Sequence, residues 1–148
     1  MGNSYWRDNK LIQAIKEEKD EHLNYEIEMF RETCKQLNFP QQRFEMNLLL
    51  ESLSAHTRTL IEFFYDDKDE KYPNDLVAQD LLPNTINWKT ERPQITELLK
   101  EARNKADKQV AHLSLWRIKI ERDNKKAWNW NDVSKDMEKV VKKFEDLR

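Results

Sequence analysis

One glycine occurs in the 148 residues, Gly2, with only four prolines, Pro40, Pro73, Pro83 and Pro93. A sheet protein of this length needs many tight turns, and tight turns need glycine. A chain nearly without it is expected to fold as an all-α protein with few connections. The same scarcity excludes a dinucleotide fingerprint and a P-loop, whose glycines let backbone approach phosphate. Hydrophobic residues make up 38% and charged residues 36%, enough for one core under a heavily solvated surface. Residues 1–148 therefore read as a single domain.

Cys34 is the sole cysteine, which excludes an internal disulfide and any cysteine-based zinc knuckle. A small buried hydrophobe is its expected role. No run approaches the ~20 apolar residues of a membrane span. The N-terminal stretch has no apolar signal core, and Trp6 stands where a myristoylation signal usually has Ser or Thr. These features point to a cytoplasmic protein with no membrane partner, and no small-molecule cofactor is evident. Charge is uneven: residues 1–88 carry a net −7 and residues 89–148 a net +5. That asymmetry fits acidic and basic helices paired within a bundle, and it also permits an anionic partner.

Apolar spacing predicts four helices, over about 5–37, 41–65, 94–121 and 131–147. The first carries two stripes. One holds Leu11, Ile15, His22, Tyr25, Glu26 and Met29, the other Ile12, Leu23, Ile27, Phe30, Cys34 and Leu37. Two stripes imply two neighbouring helices, with surplus apolar surface for a homodimer. Asn38-Phe39-Pro40 ends this helix and forces an antiparallel hairpin. The second helix buries Met46, Leu49, Leu50, Leu53, Leu60 and Phe64; His56 lies at the edge of that face and Arg58 points elsewhere. Residues 66–93 form a long crossover, with a short helical turn near Leu76–Leu82 and Trp88 as its anchor. The third helix opens at a Thr96 cap and buries Ile95, Leu99, Ala102, Ala106, Val110, Leu113 and Ile120. The fourth opens at an Asn131 cap and buries Val133, Met137, Val140, Val141 and Phe144. The expected architecture is an up-and-down four-helix bundle with one long crossover between its second and third helices.

The three histidines, His22, His56 and His112, fall on three different helices, on or beside the buried faces. His22 and His56 are each about 22 Å from the first hairpin turn, which allows them to face each other. Glu26 follows His22 by one turn, and Lys108 precedes His112 by one turn, with Asp107 beside it. Three readings follow. A histidine that moves protons beside a cation suits cleavage of RNA by its own 2′-hydroxyl, with His112, Lys108, His56 and Arg58 as catalytic candidates and His22, Tyr25, Glu26 and Asp107 in support. His22, Glu26, His56 and His112 could instead hold a metal ion in the bundle core. Alternatively, all three histidines are core polar groups that set helix register in a non-enzymatic, dimeric interaction protein. Trp116, Trp128 and Trp130 stand among basic residues, a pattern of core lids more often than of base-stacking platforms.

The stretches His22-Leu23-Asn24-Tyr25-Glu26, His56-Thr57-Arg58-Thr59-Leu60-Ile61-Glu62-Phe63-Phe64-Tyr65 and Lys108-Gln109-Val110-Ala111-His112-Leu113-Ser114 together resemble a group of small uncharacterised bacterial all-helical proteins with an Ala-His-Leu-Ser/Thr motif. More distantly the chain resembles HEPN-type helical bundles, often toxin or defence ribonucleases, whose signature is an arginine four to six residues before a histidine. That resemblance implies RNA as partner and a ribonuclease or RNA-binding role. The nearest match here begins at Arg103-Asn104, but eight residues separate Arg103 from His112. On a continuous α-helix the two side chains would point to opposite sides, and no proline or glycine intervenes to kink it.

Overall fold

The computed structural model describes the backbone of residues 9–68, 75–110 and 128–148, with side chains placed for 17–68, 75–108 and 128–148. The fold is all-α, with no strand among these residues. Helix α1 spans Asn9–Gln36 and α2 Arg43–Tyr65. A 3₁₀ turn, Ala78–Leu81, and the one-turn α3, Trp88–Glu91, lie in the crossover. Helix α4 is Glu97–Lys105, continued by a π-helical turn at Ala106–Val110, and α5 is Trp130–Leu147.

The bundle is closed by polar pairs as well as by its core. Thr33 Oγ1 and Ser52 Oγ meet at 3.1 Å, and Glu26 meets His56, so α1 and α2 run antiparallel. Arg103 binds Asp66 and Arg58 reaches Asp107, which sets α4 antiparallel to α2. Arg31 forks onto Glu138 at 2.6 and 2.8 Å, and Asp20 pairs with Arg148, which sets α5 antiparallel to α1. These ion pairs cross between the two halves of the chain in both senses, with Asp66 and Asp20 held by Arg103 and Arg148 and with Arg31 and Arg58 held by Glu138 and Asp107.

The apolar stripes follow the helical spacing in part: Met46, Leu49, Leu50 and Ile95 are half-buried against the core, and the side chains of Ile12, Val110, Leu113 and Ile120 lie outside the described residues. Leu23, Ile27, Phe30, Cys34 and Leu37 are buried on α1; Leu53, Leu60 and Phe64 on α2; Leu99, Ala102 and Ala106 on α4; and Val133, Met137, Val140, Val141 and Phe144 on α5. Of the other α1 stripe, His22 and Tyr25 are exposed and Glu26 and Met29 half-buried, while the side chains of Leu11 and Ile15 lie outside the described residues.

Two local expectations are corrected. Asn129, not Asn131, caps α5, its Oδ1 accepting from the Asp132 N–H at 3.3 Å. Asn131 instead faces Asn38 at the hairpin turn, 3.1 Å away. The third helix is not uniformly α: at Ala106–Val110 the hydrogen bonding widens to the π pattern without any glycine or proline. A π turn advances the chain by less rotation per residue. Counting 100° per residue from Arg103 therefore no longer gives the direction of His112, which lies outside the described residues.

Trp88 anchors the crossover. Its ring is buried against Phe64 and Phe144, and its Nε1–H donates to the Phe64 carbonyl at 2.6 Å. That carbonyl belongs to the last turn of α2 and has no partner within its own helix. Arg92 covers the same end, donating to the carbonyls of Phe64 and Tyr65 at 3.3 and 3.0 Å. Trp88→Phe keeps most of the packing and removes the donor, so it is expected to cost about 1 kcal/mol, read as a lowered urea midpoint.

Burial also governs Cys34. The surrounding apolar side chains push its thiol up to about 11, against a smaller downward pull from a hydrogen bond with Ser134. Thiolate is the reactive form. A thiol reagent at pH 8 is therefore expected to label Cys34 only at the rate of unfolding, and fast labelling of the folded protein would contradict the burial.

Candidate functional site

The sequence-derived candidates gather into two groups on the α2 surface. In the first, Glu26 Oε2 lies 2.6 Å from His56 Nδ1, and the edge of Tyr25 packs on the imidazole, with ring centroids 6.0 Å apart. Both side chains of the pair are largely sheltered, at 14% exposure for His56 and 26% for Glu26. A carboxylate can only accept, so the contact places the proton on Nδ1 and leaves Nε2 of the neutral ring as a proton acceptor.

His22 does not face His56. It sits one turn beyond Glu26, exposed, on the wall of a groove. The connection between the helices is residues 37–42, six residues rather than three, because α1 ends at Gln36 and α2 begins only at Arg43. The longer connection does not by itself account for the register, which the contacts of Glu26 with His56 and of Thr33 with Ser52 define.

The second group forms where α2 meets the π turn. Arg58 Nε donates to Glu62 at 2.8 Å, and its Nη1 lies 3.3 Å from Asp107. Lys108 Nζ is 3.9 Å from Asp107. Arg103 binds both oxygens of Asp66, at 2.8 and 3.0 Å, and reaches Glu62 at 3.9 Å. Arg58 is thus brought to the neighbouring pair Asp107 and Lys108, far from it in sequence. It comes from outside the main buried face of α2, by lying along the seam with α4. Sequence reasoning left out Glu62, Asp66 and the role of Arg103 here; the i, i+4 spacing of Arg58 and Glu62 was the available signal.

Glu26 of the first group and Arg58, Glu62 and Asp66 of the second share one groove, whose lining does not include His56, Asp107 or Lys108. It encloses about 1250 Å³, and His22, Glu26, Arg58, Glu62, Tyr65 and Asp66 line it. Its carboxylates are not a free acidic field. Glu62 is held by Arg58, Asp66 by Arg103, and Asp67 by Lys89 at 2.8 Å. The Tyr65 hydroxyl is buried with no hydrogen-bond partner among the described residues. Burial pushes its phenol pKa upward, against a smaller downward pull from Arg92.

Among the described residues no three of His, Cys, Asp or Glu converge as a metal cage. Of the four residues expected to share a metal, only Glu26 and His56 touch, while His22 points to the groove and His112 is outside the described residues. The tryptophans act as lids: Trp128 is buried with Lys105 5.9 Å from its ring centre, and Trp130 Nε1–H donates to Asn38 at 3.0 Å. Trp116 lies outside the described residues. No described helix is long and apolar enough to cross a membrane. Family models, curated proteins and solved structures offer no significant match to the chain. The site is therefore defined by its own geometry.

Proposed function

We propose that the groove binds RNA and supports acid–base cleavage by the RNA's own 2′-hydroxyl. The observation that carries this reading is the Glu26–His56 pair, held at 2.6 Å beside a groove that Glu26 and Arg58 both line. Arg58 stands two residues after His56 on α2, on a different side of the helix, and an imidazole and a guanidinium that reach one RNA strand are the minimal set for moving a proton and stabilising a phosphate that gains charge. His56 takes the 2′-hydroxyl proton, the 2′ oxygen attacks phosphorus, and the 5′ oxygen leaves as it gains a proton. Arg58 and Lys108 stabilise the phosphate. The π turn supports the same site, since it carries Asp107 and Lys108 against Arg58, and π turns inside helices often occur at functional positions. The chain would then act as a HEPN-like ribonuclease in a defence or toxin setting, with His112 as the second proton-moving group.

Incubation of the purified protein with total RNA, with and without EDTA, tests this. The expected result is cleavage that persists in EDTA and leaves 2′,3′-cyclic phosphate ends. Ends with a 3′-hydroxyl that disappear in EDTA would overturn the acid–base reading, as would intact RNA.

A further inference from the structure

A second cavity, of about 520 Å³, lies on the seam between α2 and α4, a volume within the range of small-molecule sites. It shares Arg58, Glu62, Tyr65 and Asp66 with the groove, while Arg92, Lys100 and Arg103 line the cavity and not the groove. Cations outnumber carboxylates on its wall, four to three. Each of the three carboxylates already has a guanidinium. Glu62 accepts from Arg58 at 2.8 Å, and Asp107 lies 3.3 Å from the same side chain. Arg103 binds both oxygens of Asp66. The carboxylates are thus spent on holding Arg58 and Arg103 in place, and positive charge remains on Arg92 and Lys100.

Arg92 is held without being neutralised. Its Nη1 donates to the carbonyls of Phe64 and Tyr65, and its Cζ stands 5.3 Å from the centre of the Tyr65 ring. Among the described residues it forms no ion pair, and neither its Nε nor its Nη2 has a hydrogen-bond partner. Those two nitrogens share one edge of the guanidinium. The same edge of Arg31 forks onto Glu138, at 2.6 and 2.8 Å. Arg92 therefore offers a fixed two-donor fork to an oxyanion, the geometry that suits carboxylate and phosphate. Lys100 adds a second charge. Its Nζ lies 2.7 Å from Glu97, which is 82% exposed, and a surface pair of this kind exchanges readily with a ligand. Two cations without a buried counter-charge match a dianion better than a single carboxylate.

We propose that this cavity binds a phosphate group, with its oxygens on the Nε–Nη2 edge of Arg92 and on Lys100. The phosphate belongs either to a free nucleotide or to an RNA strand that continues from the adjoining groove, and both present the same oxyanion. The proposal does not depend on cleavage, since neither Arg92 nor Lys100 takes part in the groove's proton chemistry.

Calorimetric titration of the full chain, in a buffer without phosphate, uses inorganic phosphate, adenosine 5′-monophosphate, adenosine and a short 2′-O-methylated RNA strand that the groove chemistry cannot cleave. Saturable binding of phosphate-bearing probes and none of adenosine is expected. Lys100→Gln and Arg92→Lys are each expected to weaken it by about tenfold or more, the second because lysine keeps the charge and loses the fork. Arg92 also covers the end of α2, so the exposed Lys100 keeps the test independent of folding, and melting curves verify both variants. Lys142→Gln removes the same charge from an exposed site outside the cavity and is expected to leave affinity unchanged. Weakened binding of adenosine 5′-monophosphate in the cavity variants assigns the phosphate to a free nucleotide, and weakened binding of the RNA strand alone assigns it to the strand. Affinity unchanged in both cavity variants, an equal loss in Lys142→Gln, or no binding of any probe would overturn the proposal. Phosphate binding by a protein that leaves RNA intact would refute the groove reading and uphold this one.

Discussion

Phe144→Ala is expected to destabilise the protein by about 3–5 kcal/mol, the cost of emptying a buried phenyl site that collapses only partly. Phe144 is fully buried and touches three other rings, with centroids at 5.7 Å from Phe63, 5.5 Å from Phe64 and 5.5 Å from Trp88. The edge-to-face geometry of these pairs adds to the area they bury. One ring thus ties α5 to α2 and to the crossover, which Trp88 also joins to α2. A domain of this size has a total stability of about 5–15 kcal/mol. The variant is therefore expected to melt about 10–15 °C lower. Phe44→Ala removes a ring of the same size that is mostly in solvent, and is expected to change stability by no more than about 0.5 kcal/mol. Equal losses from the two substitutions would mean that the described core is not the one that holds the fold.

The core was legible because helical burial writes a period into the chain. Val133, Met137, Val140, Val141 and Phe144 need only the 3.6-residue repeat to be found, and Trp88 stood out as the one large apolar residue near the end of a polar crossover. Thr96 was legible as a cap because its position before Glu97 and Leu99 is a local signal. Asn129 and Asn131 were not separable in this way, since both are asparagines at the head of one helix. Tertiary pairing of Asn131 with Asn38 decides between them.

The site was legible in its residue types more than in its contacts. Glu26 and His56 meet in one cluster, and Arg58, Asp107 and Lys108 in another. Their grouping depends on quantities that a periodicity does not contain. One is the packing register of the α1–α2 hairpin, which puts Glu26 rather than His22 opposite His56. The other is the π turn, where the chain carries none of the residues that usually bend a helix. Once α4 departs from 100° per residue, Asp107 and Lys108 reach Arg58, a residue that sequence alone turned away from the core.

His56→Ala is expected to lower RNA cleavage by about 10²–10⁴-fold, the range over which a positioned proton-moving side chain contributes. Its effect on stability is expected to be small by comparison, because His56 lies at the edge of the buried face and its one hydrogen bond is to a half-buried carboxylate. Glu26→Gln separates orientation from charge. The amide can turn its N–H towards Nδ1, which then accepts, and the ring proton moves to Nε2. The imidazole stays in place but loses its free acceptor, so cleavage is expected to fall by about 10-fold or more with melting temperature nearly unchanged. Arg58→Lys keeps the charge and loses the fork that spans Glu62 and Asp107, and is expected to fall between wild type and Arg58→Ala. A purely structural role for the pair predicts the reverse order: melting temperature falls first, and any cleavage falls only in proportion to the unfolded fraction. Full cleavage by folded His56→Ala would remove His56 from the chemistry. A parallel His112→Ala variant tests the second proton-moving group separately.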